Sequence, residues 1–244
     1  MAPFRQGTRF RKLSNSGYAL IKSEDAKAHR LFEARLMSEH TVRILYIGNS
    51  FTARNDLPGI VNQMGEGQSI TIEHELISAG GASLRRHFNA GATDKIRGAV
   101  WDFVVLQEQS TLPVKNRKRF HGNVREYVSA AADTGAKLAL YMTWAKKEEP
   151  DNQTLLTEAY NEIGKELGVI VVPAGVAWEL MLAKHTEPVL HDNDGSHPTL
   201  SGSYLSACTF IPTLFGVSPI RIALDGLAEE DQELLIGFAE TACA

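Results

Sequence analysis

The sequence predicts an α/β protein built as a three-layer α/β/α sandwich around a five-stranded parallel sheet. Three observations carry that expectation. Five short apolar segments recur at residues 43–47, 70–77, 103–106, 137–142 and 169–172. Near-continuous apolar strands of this length are buried on both faces, as in parallel sheets. The segments between them place apolar residues at helical spacing, which supplies the two covering layers. No internal repeat, low-complexity tract or interdomain linker interrupts the alternation after Thr41, so residues 41–244 read as one domain.

Taken in order, residues 1–40 stand apart. The first 39 hold eight Lys/Arg against four acids, which leaves −8 for the remainder of a chain whose net charge is −4. They read as a basic N-terminal extension, partly disordered or helical. Residues 23–36 suit a helix with Ser23 as N-cap and Phe32 and Leu36 on one side. Met37 offers an alternative translation start shortly before the first strand. Beyond it, Val124, Val128 and Ala131 form a helical stripe after Phe120. Leu156, Tyr160, Ile163 and Leu167 form a second, and Tyr204, Cys208, Ile211 and Phe215 a third. Trp178 falls in a helical pattern and reads as core.

Composition narrows the function classes. The net charge gives no reason to expect nucleic acid or an anionic membrane as partner. No apolar run approaches the roughly 20 residues of a membrane span. Cys208 and Cys243 are the only cysteines, and neither a disulfide framework nor a zinc site is expected. No cofactor or metal is implied. The N-terminus lacks an apolar signal core, so a cytoplasmic location is the expectation. Gly65-Glu66-Gly67 follows a helical pattern and reads as a helix-ending turn, not a phosphate loop.

Four loops carry chemistry. The first strand stops at Gly48, and Ser50 follows two positions later, in a turn that lifts a hydroxyl above the sheet edge. Ligands in open parallel sheets collect at the carboxyl ends of strands, so Ser50 is the candidate nucleophile. Thr52 occupies the place of the second glycine in a G-x-S-x-G elbow, which disfavours an α/β-hydrolase of that type. Late in the chain, Asp194 precedes His197 by three residues, with Gly195 between them to let the loop curl and Thr199 as N-cap of the helix that follows. That spacing lets the carboxylate reach imidazole Nδ1 and leave Nε2 free as a base. His29, His40, His121 and His185 read as surface residues, while His74 and His87 fall inside strand and helix patterns. The second strand ends in Ser78-Ala79-Gly80-Gly81-Ala82-Ser83, whose glycines let backbone N–H groups approach a ligand. The third ends in Gln107-Glu108-Gln109-Ser110, where amides and a carboxylate emerge from a buried strand.

Together the blocks Ile47-Gly48-Asn49-Ser50-Phe51-Thr52, Leu106-Gln107-Glu108-Gln109-Ser110 and Asp194-Gly195-Ser196-His197-Pro198 resemble those of the SGNH (GDSL-like) hydrolase superfamily, over about residues 42–219. The resemblance implies a flavodoxin-like sandwich with a five-stranded parallel sheet. It also implies a Ser50–His197–Asp194 triad and an oxyanion hole made of the Ser50 N–H, the Gly81 N–H and a side-chain amide. The family supplies that amide from Asn; here Gln109 stands at the position, with Gln107 as a competing candidate. Asn49 stands where the family usually has Asp. What the resemblance implies is a serine esterase acting on a small-molecule ester, a short acyl group on a polar or carbohydrate alcohol. Gln107 is a candidate substrate contact, and Trp144, after the fourth strand, reads either as a wall of the acyl pocket or sugar face or as a packed core residue. An acyltransferase using the same triad and a non-catalytic flavodoxin-like anion-binding module are the alternatives.

Overall fold

The computed structural model describes residues 41–244. The basic extension, the helix expected at 23–36, Met37, His29 and His40 lie outside the described residues. Five strands form one sheet, parallel throughout: β1 (Val42–Gly48), β2 (Ile72–Ser78), β3 (Phe103–Leu106), β4 (Lys137–Tyr141) and β5 (Ile170–Val172). Their spatial order is β2-β1-β3-β4-β5, which is the flavodoxin-like order.

Ten α-helices cover the sheet among the described residues. They are α1 (Ser50–Ala53), α2 (Leu57–Glu66), α3 (Leu84–Asn89), α4 (Ala92–Arg97), α5 (Leu112–Lys115), α6 (Arg117–Ala131), α7 (Asn152–Leu167), α8 (Ala174–Leu182), α9 (Leu200–Phe215) and α10 (Glu229–Cys243). Strand periodicity of two divides the apolar residues between two cores. Ile44, Tyr46, Phe103, Val105, Ala139 and Tyr141 face α2, α8, α9 and α10. Leu45, Ile47, Val104, Leu106, Leu140 and Met142 face α3, α4, α6 and α7. Residues adjacent in sequence therefore serve opposite layers, which is why these strands are apolar along their whole length.

Two strand starts differ from the sequence expectation for one reason. The Ile70 and Val169 N–H groups are still bonded to helix carbonyls, Gly65 O and Gly164 O, each at 2.9 Å. The chain is finishing α2 and α7 there, so pairing begins at Ile72 and Ile170. His121 is also corrected: it is buried on α6, where its Nε2 donates to Ala159 O of α7 at 2.8 Å. Trp178 and Cys208 are fully buried, and both cysteines are free thiols. No helix among the described residues is long and apolar enough to cross a membrane.

The order reverses between β1 and β3, which makes the crevice beyond their carboxyl ends the topological switch point. Ile47 pairs with Leu106 and Gly48 with Ser78. The loops after β1, β2 and β3 thus leave the sheet at one level, around one crevice.

Candidate active site

The turn after β1 is built by Asn49. Its backbone is extended (φ −132°, ψ −152°), and its Oδ1 accepts the Phe51 N–H, capping α1. Its carbonyl accepts the N–H groups of Thr52 and Ala53, both at 3.0 Å. Ser50 is the first helical residue, a position whose N–H has no intrahelical acceptor.

Gln107 braces this turn from below. Its Oε1 accepts the Asn49 N–H at 2.8 Å and the Thr52 hydroxyl at 3.0 Å, while its Nε2 donates to Glu108 O. A Cβ at Gly48 would lie 2.5 Å from Thr52 Oγ1 and 2.7 Å from Gln107 Oε1, so only glycine admits the brace. Gln107 was expected at the substrate or the oxyanion. It is instead buried, with its Oε1 committed to the Ser50 turn and its Nε2 to Glu108 O. His87 adds a further hold, donating from Nε2 to Gly48 O at 2.7 Å. Burial pushes the His87 imidazole below its ordinary range, in keeping with a neutral donor.

The loop between α8 and α9 presents the other half of the site. His191 and Pro198 form an antiparallel bridge, and Asp192 N–H bonds His197 O at 2.8 Å. The reversal passes through Gly195 at φ 65°, a left-handed conformation that favours glycine. Asp194 Oδ1 accepts the N–H groups of Ser196 and His197, each at 2.9 Å. Asp194 Oδ2 meets His197 Nδ1 at 2.5 Å, and His197 Nε2 meets Ser50 Oγ at 2.8 Å. The His197 side chain, with the two backbone N–H groups, holds the Asp194 carboxyl well below the usual carboxylate range. Three residues separated by up to 147 positions thus form one hydrogen-bonded chain.

The loop is held from several sides. Arg54 pairs with Asp192, Trp144 Nε1 donates to Ser196 O at 3.0 Å, and Lys147 N–H to Gly195 O at 2.9 Å. Asn55 Nδ2 reaches Thr199 O at 3.0 Å and Ser203 Oγ at 2.9 Å. Thr199 caps α9 through its hydroxyl. The Phe51 ring lies 5.2 Å from the His197 ring, centroid to centroid, and covers one side of the imidazole.

Two loops face this pair. Asn49 Nδ2 donates to Ala82 O at 3.0 Å, which ties the Gly80-Gly81 turn to the Ser50 turn. Gly81 has φ 62°, and its N–H finds no acceptor among the described residues. Gln109 Oε1 accepts the N–H and hydroxyl of Thr111 at 3.1 and 3.0 Å, which fixes the amide and leaves its Nε2 without an acceptor among the described residues. Between these loops sits Glu108, fully buried. Burial raises its carboxyl above the usual range, against the pull of the hydrogen bonds it accepts.

Trp144 is stacked flat on Trp178, with centroids 3.7 Å apart, and is 3% exposed. Its other neighbours are Phe51 at 5.0 Å and a cavity of about 500 Å³ lined also by Lys146, Leu182, Val189 and His191. The walls of that cavity do not include Ser50 or His197.

No family model matches the chain, and no curated protein matches it. Solved structures do. A protein of Slackia heliotrinireducens, described as a candidate SGNH hydrolase, is 24% identical, with a TM-score of 0.62 over 72% of this chain and 100% of its own. A DUF4886 family protein of Bacteroides uniformis is 19% identical, with a TM-score of 0.70 over 83% of this chain and 95% of its own. A variant of Axe2, an acetyl xylan esterase of Geobacillus stearothermophilus, is 16% identical, with a TM-score of 0.58 over 74% of this chain and 97% of its own. The likeness is one of fold, and the fold is SGNH hydrolase-like.

Proposed function

We propose that this chain, whose fold is SGNH hydrolase-like, is a serine esterase that removes a short acyl group from a polar or carbohydrate alcohol. The observation that carries the reading is the unbroken chain Ser50 Oγ–His197 Nε2–Nδ1–Asp194 Oδ2 at 2.8 and 2.5 Å. Asp194 fixes the imidazole tautomer with Nε2 free to accept a proton. Ser50 Oγ attacks the ester carbonyl as its proton passes to Nε2, forming a tetrahedral oxyanion. The N–H groups of Ser50 and Gly81 and the Gln109 amide meet that oxygen. One such donor is typically worth ~3–4 kcal/mol in the transition state. Collapse breaks the ester C–O bond, and the Nε2 proton goes to the departing alkoxide. Water then attacks the acyl-enzyme, giving its proton to Nε2, and the acid leaves as Ser50 takes the proton back.

One observation supports the substrate class: a protein of similar fold is described as an acetyl xylan esterase. The His197 side chain is 26% exposed, so water can reach the base.

The test is hydrolysis of p-nitrophenyl acetate and butyrate, together with labelling by a fluorophosphonate. Ser50→Ala and His197→Ala are each expected to lower kcat by at least 10³-fold, on the scale of losing a triad member (~10⁴ to 10⁶), and Ser50→Ala to abolish labelling. Full activity in Ser50→Ala would remove the nucleophile assignment.

A further inference from the structure

Glu108 is an acid with no exposed surface, adjacent in sequence to Gln109, and its side chain bonds none of Ser50, His197 and Asp194. A buried charge is costly unless its lone pairs are matched by donors, so its retention calls for a physical reason. Its partners supply one. Oε1 accepts two backbone N–H groups at once, Leu84 at 3.0 Å and Gln109 at 2.8 Å. Leu84 opens α3, three residues after Gly81; Gln109 carries the candidate side-chain donor. A single oxygen therefore spans the two loops that flank the oxyanion position. Oε2 accepts Asn123 Nδ2 of α6 at 2.8 Å, and Asn123 Oδ1 in turn accepts Arg85 Nε at 3.3 Å. Tyr127 of the same helix donates to Leu84 O at 3.1 Å. The loops are thereby referenced to a long helix of the core instead of only to each other.

We propose that Glu108 is a positioning residue for the reaction: its carboxylate fixes the separation of the Gly81 and Gln109 loops, and so of two of the three groups that meet the oxyanion. This rests on the esterase reading. Oxyanion donors act only when they lie within a few tenths of an ångström of their working distance from the developing charge. A misplacement near 1 Å costs about 10²-fold in rate. The residue type follows from the donors. A glutamine could offer Oε1 to both backbone N–H groups, but its Nε2 would then confront Asn123 Nδ2, donor against donor. A carboxylate accepts from all three.

That mismatch also gives the test. Glu108→Gln is expected to lower kcat for p-nitrophenyl acetate at least tenfold with KM changed less than twofold. It should weaken a trifluoromethyl ketone, which forms a tetrahedral adduct at Ser50, by the same factor. Adding Asn123→Asp turns that partner into an acceptor for the new Nε2 while still accepting from Arg85. The double variant is expected to regain kcat to within threefold of the parent. Asn123→Ala, which removes the Oε2 donor far from the substrate, is expected to lower kcat by about tenfold on its own. Glu108→Gln that melts at a lower temperature but keeps kcat and ketone affinity within twofold would overturn the proposal. So would a folded double variant with no recovery, or, should Glu108→Gln fail to fold, an Asn123→Ala enzyme with unchanged kcat. Failure of the esterase reading looks different, because there Ser50 would not take the fluorophosphonate even in the parent protein.

Discussion

Asp194 uses its two oxygens for different ends. Oδ1 closes the loop onto the N–H groups of Ser196 and His197, and Oδ2 orients the imidazole. Asp194→Asn keeps the shape but can present an N–H to Nδ1, which selects the wrong tautomer. A loss in kcat of up to roughly 10⁴-fold is expected, read in p-nitrophenyl acetate turnover. Its pH signature has a defined sign. The folded carboxyl is held below its ordinary range, so the stability that Asp194 contributes is present above that range and is lost as pH falls through the lowered value. The difference in melting temperature between parent and Asp194→Asn should therefore be level at neutral pH and close only in acid. The D-x-x-H spacing makes this pair legible in the sequence, because the contact is local. Gln107 is the opposite case. Its partners, Asn49 and Thr52, lie 58 and 55 positions away, and nothing in its neighbours separates an amide that braces a turn from one that meets a substrate.

At the scale of elements, the turn from β1 into α1 is first of all a helix cap. Asn49 closes the helix start with its Oδ1 and holds the Gly81 loop with its Nδ2, so one side chain sets two of the three backbone segments around the crevice. Asn49→Ala removes both bonds. Loss of the cap alone costs about 1 kcal/mol, and the variant should unfold at lower urea. Its kcat should fall more steeply than its stability implies, because the Gly81 loop is released as well. The strands were legible because buried parallel strands are apolar on both faces; β3 matches the expected 103–106 at both ends. Helix α10 was not expected. Its fully buried positions are Gln232, Leu235 and Ala239, with Ile236, Phe238 and Ala242 partly buried beside them, and the polar Gln232 interrupts the apolar stripe that would mark it in sequence.

For the whole molecule, the decisive link joins the first strand's turn to the last loop. Asn55 sits at φ 54° and Asp56 at φ 50°, left-handed positions that disfavour most side chains, and Asn is among the residues that tolerate them best. That backbone aims Asn55 Nδ2 at Thr199 O and Ser203 Oγ, while Arg54 pairs with Asp192. Asn55→Ala loses the bonds and keeps the strained backbone, at a cost of about 1–2 kcal/mol for the conformation. The expected readout is a lower melting temperature and a kcat reduced several-fold with KM nearly unchanged, since the Ser50–His197 distance loosens while the crevice persists. None of this is legible in the sequence, because the partners are 144 and 148 positions apart and are chosen by tertiary packing. The same separation has a consequence for how the protein is made. Ser50 leaves the ribosome early and His197 late, with four strands to be laid down between them. A growing chain can complete its sheet through β5 and still hold the proposed nucleophile without its proposed base. Loop closures this long are slow steps in folding, so reactivity at Ser50 would appear last, as a report that synthesis has passed α9.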